Sequence, residues 1–387
     1  MRLRCRDYRS QVVTDVEINH GLVESLQVVE DAADDKTLPW IAPGFFDLQV
    51  NGAGGISFNS AELTVDQVGQ AVRQIHHHGV TGMLPTLVTN DLTSLTHALT
   101  TLVRSREQDS LVRKLVPGLH LEGPWISAED GFRGAHPKQH VRWPSWDDFQ
   151  RLQDAADGLV KMVTLAPELP GAIDFIERLH ERNVCVGLGH TAADDKVIEA
   201  AWYAGATIST HLGNGVPEKI HRHNNPLWAQ LAWGWLSASV IMDGHHIPDA
   251  VFRTIFLAKT ENQMILVSDA SSLAGLPPGF YQQWGHDVEL TSDGKLVVVG
   301  TTYLAGSVSF LDHCVANAAA ALRSEFGMPI AVDMASSQPR RLLGLPPHRD
   351  YPDSPAGFVI FHYVRDGAID IHQVFAPNAN HPANLGD

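Results

Sequence analysis

The sequence predicts an α/β fold: a TIM-like (β/α)8 barrel with a small β-sandwich formed from both chain termini. Three observations carry that prediction. Eight short apolar runs lie between Phe45 and Ala270, most of them ending in polar or glycine residues. Segments of helical periodicity separate the runs. Both termini read as strands, and neither is long enough to bury a core alone.

The N-terminal part, residues 1–40, contains Gln11-Val12-Val13-Thr14-Asp15-Val16-Glu17-Ile18, which alternates as a half-buried strand does. The eight runs follow at 45–52, 81–89, 115–123, 160–167, 184–190, 206–211, 239–244 and 264–270. Short continuous apolar runs bounded by Gly or Pro read as buried parallel strands. Between the first two, residues 64–78, with Leu63 just before them, place Leu63, Val65, Val68, Val72 and Ile75 at helical spacing. Residues 171–182 do the same with Ile173, Ile176 and Leu179. Asp194 and Asp195 suit the start of another helix, where carboxylates meet the positive end of the dipole. Trp228, Trp233 and Trp235 fall in one apolar helical stretch and read as core. The C-terminal part, 350–387, carries strand-like stretches within 357–375. The expected division is therefore 1–40 with 350–387 as the sandwich, and 41–349 as the barrel. An open doubly wound sheet is the competing topology. No GxGxxG follows the first strand, which removes its commonest functional form.

Composition narrows the partners. The chain of 387 residues has 44 acidic and 28 basic residues, a formal charge of −16. Phosphate backbones and anionic membranes need a basic face, so neither nucleic acid nor membrane is expected. No run approaches 18 apolar residues, and the N-terminal segment is polar rather than signal-like. Cys5, Cys185 and Cys314 are too widely spaced for a disulfide framework or a zinc knuckle, and a cytoplasmic location is expected. Histidine is abundant, at 21 residues, and is the commonest metal ligand.

In a (β/α)8 barrel the active site lies at the C-terminal ends of the strands. Those ends supply Asp47, Gln49 and Asn51, then His120 and Glu122, then His190, His211, Asp243 with His245 and His246, and Asp269. Catalytic zinc takes three N/O ligands and keeps one position open for water. Glu122, His190 and His211 could supply such a set, leaving Asp269 as general base. By spacing alone, each histidine reads equally as a hydrogen-bonded structural residue, and Asp47 equally as buried structure.

The run Pro43-Gly44-Phe45-Phe46-Asp47-Leu48-Gln49-Val50-Asn51-Gly52 resembles the entry motif of the amidohydrolase superfamily. More narrowly, the chain resembles the N-acetylglucosamine-6-phosphate deacetylase family. The likeness recurs in order at His120-Leu121-Glu122-Gly123-Pro124-Trp125, Gly134-Ala135-His136-Pro137, Gly189-His190-Thr191, Thr210-His211-Leu212, Asp243-Gly244-His245-His246, Ser268-Asp269-Ala270 and Leu304-Ala305-Gly306-Ser307. The resemblance implies hydrolysis of the acetamido group of an amino-sugar phosphate. Glu122, His190 and His211 would bind one divalent metal ion, zinc being usual. Asp269 would activate the hydrolytic water and return its proton to the departing amine. His136, beside Ala135, would donate to the acetamido carbonyl. Asn214, Gly215, His246 and Arg222 would hold the phosphate, Arg222 reaching into a second subunit of a homodimer. The loop Leu304-Ala305-Gly306 would close over the sugar. Many superfamily members carry His-x-His on the first strand and bind two metals. Gln49 and Asn51 stand there instead, so one metal is expected. The chain departs from the family pattern at 212–217 and 223–226. Another acetylamino sugar, phosphorylated or free, and a non-catalytic sugar-phosphate sensor are the alternative readings.

Overall fold

The computed structural model describes residues 1–19, 22–29, 37–301, 303–346, 357–364 and 368–377. Parts of the expected sandwich, including 30–36, 350–356 and 378–387, lie outside them.

Eight parallel strands form the barrel: Phe45–Val50, Val80–Val88, Leu119–Glu122, Val160–Leu165, Cys185–Leu188, Ile208–Ser209, Ser237–Val240 and Met264–Leu266. They pair in sequence order, one to eight. A bridge between Val50 and Ala270 joins the last segment to the first. At that seam Asn51 N donates to Ala270 O at 2.7 Å and Asp269 N to Gln49 O at 2.9 Å. Phe46, Leu48, Leu84, Met162, Ile208, Ile241, Ile265 and Val267 cluster together, one core of the barrel.

Except for Val80–Val88, the paired strands are shorter than the apolar runs that announce them. Glu122 is the last residue of its strand, while His190, His211, Asp243 and Asp269 lie two or three residues beyond theirs. The ladder stops where the side chains become polar, and the backbone is free to bend there.

Helices fill the crossovers. Val65–His77 starts with a capping box: Gln67 N donates to Thr64 Oγ1 and Thr64 N donates to Gln67 Oε1. A cap of this kind contributes about 1 kcal/mol. Its Val68, Val72 and Ile75 face the core. Ala172–His180 and Asp195–Tyr203 lie where the periodicity and the paired aspartates place them, the second capped by Asp194.

The two termini pair in one six-stranded sheet, separate from the barrel. Its order is Ala368–Phe375, Phe358–Val364, Trp40–Pro43, Arg2–Asp7, Val13–Asn19 and Leu22–Val28. Side chains from all six strands, among them Cys5, Val16, Val23, Ile41, Phe358 and Phe375, meet in one apolar cluster.

Two features depart from the sequence reading. Trp228 and Trp235 are not core; they are 54% and 74% exposed. Helix Pro226–Ala232 ends before Trp233, so the apolar stretch is not one helix and its tryptophans do not share a buried face. After the eighth strand comes an unanticipated three-stranded antiparallel sheet, Gly279–Gln283, His286–Leu290 and Leu296–Val298. It stands over the strand ends on its own small apolar cluster of Leu273, Val288, Leu290, Leu296 and Ala305.

Candidate active site

Glu122 is the centre of the strand-end cluster. His211 Nε2 lies 2.8 Å from its Oε1, and His190 Nε2 lies 3.3 Å from the same oxygen. His136 Nε2 is 3.9 Å from the other oxygen, Oε2. Gln49 Nε2 donates to Glu122 at 2.9 Å and to Asp269 at 3.1 Å, bridging the two carboxylates. Asn51 Nδ2 donates to Asp269 at 2.8 Å. All these groups are buried.

The backbone at the cluster is strained. His190, His211 and Asp269 adopt φ of 51°, 33° and 47°. Left-handed conformations in non-glycine residues cost on the order of 1–3 kcal/mol each and gather at functional sites. The turn after His190 is pinned by Glu168, which accepts from Thr191 Oγ1 at 2.5 Å and Ala192 N at 2.7 Å. Residues below the cluster are structural. His120 Nε2 meets Thr164 and its Nδ1 meets Leu48 O, and burial pushes it down to about 4. Asp47 accepts from Ser268 Oγ at 2.5 Å, tying the eighth strand's end to the first.

The donor set suits a cation. His190 Nδ1 faces the Phe132 carbonyl at 2.9 Å, and a carbonyl can only accept. With Nδ1 given to that carbonyl, His190 turns Nε2 towards the Glu122 carboxylate. A nitrogen and a carboxylate oxygen at 3.3 Å share a positive charge, a proton or a metal ion, between them. Among the described residues His211 Nδ1 is buried with no hydrogen-bond partner, and this ring is engaged there through Nε2. One ligand atom each from Glu122, His136 and His190 lie within 4.8 Å of one another, close enough to hold a metal ion. That trio has His136 where the sequence reading has His211; both rings stand beside the same carboxylate.

Electrostatics separate the two carboxylates. Burial alone would raise Glu122, but the hydrogen bonds from His190 and His211 outweigh it and hold it well below the usual range. Burial, reinforced by the charge on Glu122, pushes Asp269 up to about 6. His136 is pushed down to about 3 by burial and by His190, so it stays neutral. Its Nδ1 meets Thr89 Oγ1 at 2.8 Å. Carboxylates driven apart in this way suit one to a charge-binding role and the other to proton transfer.

Above the cluster is a cavity of about 220 Å³. Glu122, His136, His190, His211 and Asp269 form part of its wall, together with Ala135, Asn214, Gly215, His246, Leu304 and Gly306. His246 is oriented by Asp243, whose carboxylate meets His246 Nδ1 at 2.7 Å. Two expected residues are elsewhere. Ala305 is buried in the apolar cluster under the three-stranded sheet. Arg222 is exposed and outside the cavity.

No family model matches the chain. It is 36% identical over 315 residues to the N-acetylglucosamine-6-phosphate deacetylase of Homo sapiens, covering 79% of this chain and 75% of the relative. The chain belongs to the N-acetylglucosamine-6-phosphate deacetylase family. Among solved structures, that of N-acetyl-D-glucosamine-6-phosphate deacetylase from Mycobacterium smegmatis aligns with a TM-score of 0.85 and 29% identity, covering 97% of this chain and 98% of that one. That structure is a variant in complex with N-acetyl-D-glucosamine-6-phosphate. An N-acetylgalactosamine-6-phosphate deacetylase from Shewanella sp. (strain ANA-3) is 32% identical, covering 86% of this chain and 83% of the relative.

For a member of the deacetylase family, the structure adds residues that the sequence reading left without a role. Gln49 and Asn51 are noted there only as replacements for His-x-His; in the fold they are the donors that hold both carboxylates. Their alternation with Asp47 along one strand face is the signal that could have exposed them. Trp284, Tyr303 and Glu218 also line the cavity, from loops with no periodic signal.

Proposed function

We propose that this chain hydrolyses the acetamido group of N-acetylglucosamine 6-phosphate, releasing acetate and glucosamine 6-phosphate. The observation that carries the reading is the meeting of Glu122, His190, His211 and Asp269 in one cavity of a deacetylase-family barrel. Glu122, His190 and His211 would hold one divalent cation, zinc being the expected ion. Such a cation supplies Lewis acidity, acidifying a water and polarising a carbonyl. A single ion is the expectation, since Gln49 and Asn51 stand where a two-metal site would have its first-strand histidines and are held instead on the two carboxylates.

Asp269 takes a proton from water as the water oxygen bonds to the acetamido carbon. Its raised position, about 6, keeps it ionised at neutral pH yet a competent acid once protonated. It then delivers that proton to the amine nitrogen as the C–N bond breaks. Asn51 and Gln49 fix the carboxylate during both transfers. His136 remains neutral; in the tautomer whose Nδ1 accepts from Thr89, its Nε2–H is free to donate to the carbonyl oxygen and stabilise the developing oxyanion. Asn214, Gly215 and His246 lie on the phosphate side of the reading, with Ala135 beside His136. Leu304 and Gly306 flank the sugar, while Ala305 anchors their loop.

Arg222 completes the phosphate site from the second subunit of a homodimer. Its exposure outside its own cavity supports that placement. The enzyme would work in the cytoplasm. No helix among the described residues is long and apolar enough to cross a membrane. The division into 1–40 with 350–387 and 41–349 belongs to the same reading, with the strand Trp40–Pro43 of the terminal sheet crossing its first boundary.

A second substrate, N-acetylgalactosamine 6-phosphate, is favoured by the relative that carries that name. Acetate release from both sugars, with metal content measured on the same sample, is the test. We expect turnover of N-acetylglucosamine 6-phosphate and a loss of at least about 100-fold in Asp269→Asn. Full activity in that variant, or ligand binding with no acetate released by metal-loaded protein, refutes the reading.

A further inference from the structure

The three-stranded sheet after the eighth strand brings Trp284 to the cavity. Gln283 and His286 are paired across the ladder, so Trp284-Gly285 is a two-residue hairpin loop. Its φ angles are 51° and 82°, positive at both central positions as the primed hairpin turn requires. Asn-Gly is the favoured sequence for that turn, because asparagine enters the left-handed region easily. A tryptophan there is a costly choice that the turn itself does not need.

The indole is not placed for core packing either. It is half-buried and lines the cavity beside Tyr303 and Leu304. The tip of its ring lies against Gly306, where an added Cβ would meet Trp284 Cη2 at 3.3 Å. The hairpin is locked to that loop: Gln283 is buried, its Nε2 donates to Ala305 O at 2.8 Å, and its Oε1 accepts from Ser272 Oγ. A rigid aromatic ring is thus held in the wall of the cavity that the carboxylate and histidine cluster also lines, its tip meeting Gly306 beside the Asp269 backbone.

We infer that Trp284 is the stacking face of the sugar subsite and a specificity-determining residue of this chain. The inference rests on the proposed acetylamino-sugar substrate. A pyranose chair presents axial C–H bonds on its flat face, and their partial positive charge is attracted to the negative face of an aromatic ring. Stacking there would set the tilt of the ring, and so the angle at which the acetamido group meets Asp269 and His136.

The test compares Trp284→Asn, which suits the turn, with Trp284→Phe, which keeps an aromatic face. Steady-state kinetics on N-acetylglucosamine 6-phosphate, thermal unfolding, and calorimetric binding of glucosamine 6-phosphate are read for each. We expect KM and the product Kd to rise about 10-fold or more in Trp284→Asn, with Tm unchanged or higher. Trp284→Phe should recover most of the affinity. Affinity within twofold of the unsubstituted protein in Trp284→Asn overturns the inference. So does a weakening that comes with a lower Tm and that Phe fails to recover. If the unsubstituted protein releases no acetate but Trp284→Asn still weakens product binding, the activity reading fails and the stacking face stands.

Discussion

Asn51→Leu isolates the support of the general base. Asn51 Nδ2 donates to Asp269 Oδ1 at 2.8 Å, and Asn51 makes no contact with Glu122 among the described hydrogen bonds, so the cation site should survive the change. A hydrogen bond to a charged group is worth about 1.5–3 kcal/mol. At 1.36 kcal/mol for each pH unit, its loss raises the Asp269 carboxyl by about one to two units. Asp269 starts at about 6. At pH 7 roughly nine-tenths of it is ionised; after the substitution, between roughly a half and a tenth would be. The expected outcome is a fall of about 2- to 10-fold in kcat/KM at pH 7, largely restored near pH 9. A bound cation lowers both curves, so the displacement between the two proteins is the quantity to read. The assay is kcat/KM for acetate release against pH, with metal content measured for each protein. An acid limb that does not move, in a variant that keeps its metal, refutes the argument.

The remaining outcomes concern pH, metal and phosphate. Burial pushes Asp47 up to about 7 despite the donors from Ser268, whereas it titrates near 4 when unfolded. The folded state therefore keeps a proton that the unfolded state loses. This stabilisation, on the order of 2–4 kcal/mol, is complete below about pH 4 and lost as pH rises through 7. Relative to the unsubstituted protein, Asp47→Asn should thus have its Tm rise between pH 5 and pH 8; a constant difference would contradict this. Chelation should abolish acetate release and lower Tm, since a cation at 100 times its Kd stabilises by about 2.7 kcal/mol. His190→Ala should lose both responses, and equal Tm with and without metal in the unsubstituted protein would remove the cation site. Arg222→Ala should raise KM for the phosphorylated sugar more than it lowers kcat; an unchanged KM removes Arg222 from the phosphate site.

The parts of the fold legible in the sequence are those set by local pattern. All eight barrel strands lie within or beside apolar runs, because a strand covered on both faces must be apolar throughout. The helices 65–77, 172–180 and 195–203 follow from periodicity and capping residues. The polar residues ending the runs, Glu122, His190, His211 and Asp269, were visible for the same reason. They interrupt an apolar pattern at the one edge where a barrel tolerates charge. Less was legible where no period exists. Trp228 and Trp235 read as core because apolarity does not say which side of a short helix faces inward. The hairpin bearing Trp284 has alternating, half-polar strands with no barrel signal.

Taken alone, the sequence determined which residues could carry the chemistry: a glutamate, histidines and an aspartate at successive strand ends, and the family resemblance along them. Tertiary structure decided what those residues do to one another. It put Glu122 and Asp269 close enough for Gln49 to bridge them, and separated their proton affinities by burial and hydrogen bonding. It turned His190 by anchoring its far nitrogen on Phe132, and it brought Trp284 into the same cavity on an inserted hairpin. These are contacts between residues far apart in the chain. They depend on barrel closure at the Val50–Ala270 seam, which no local pattern encodes.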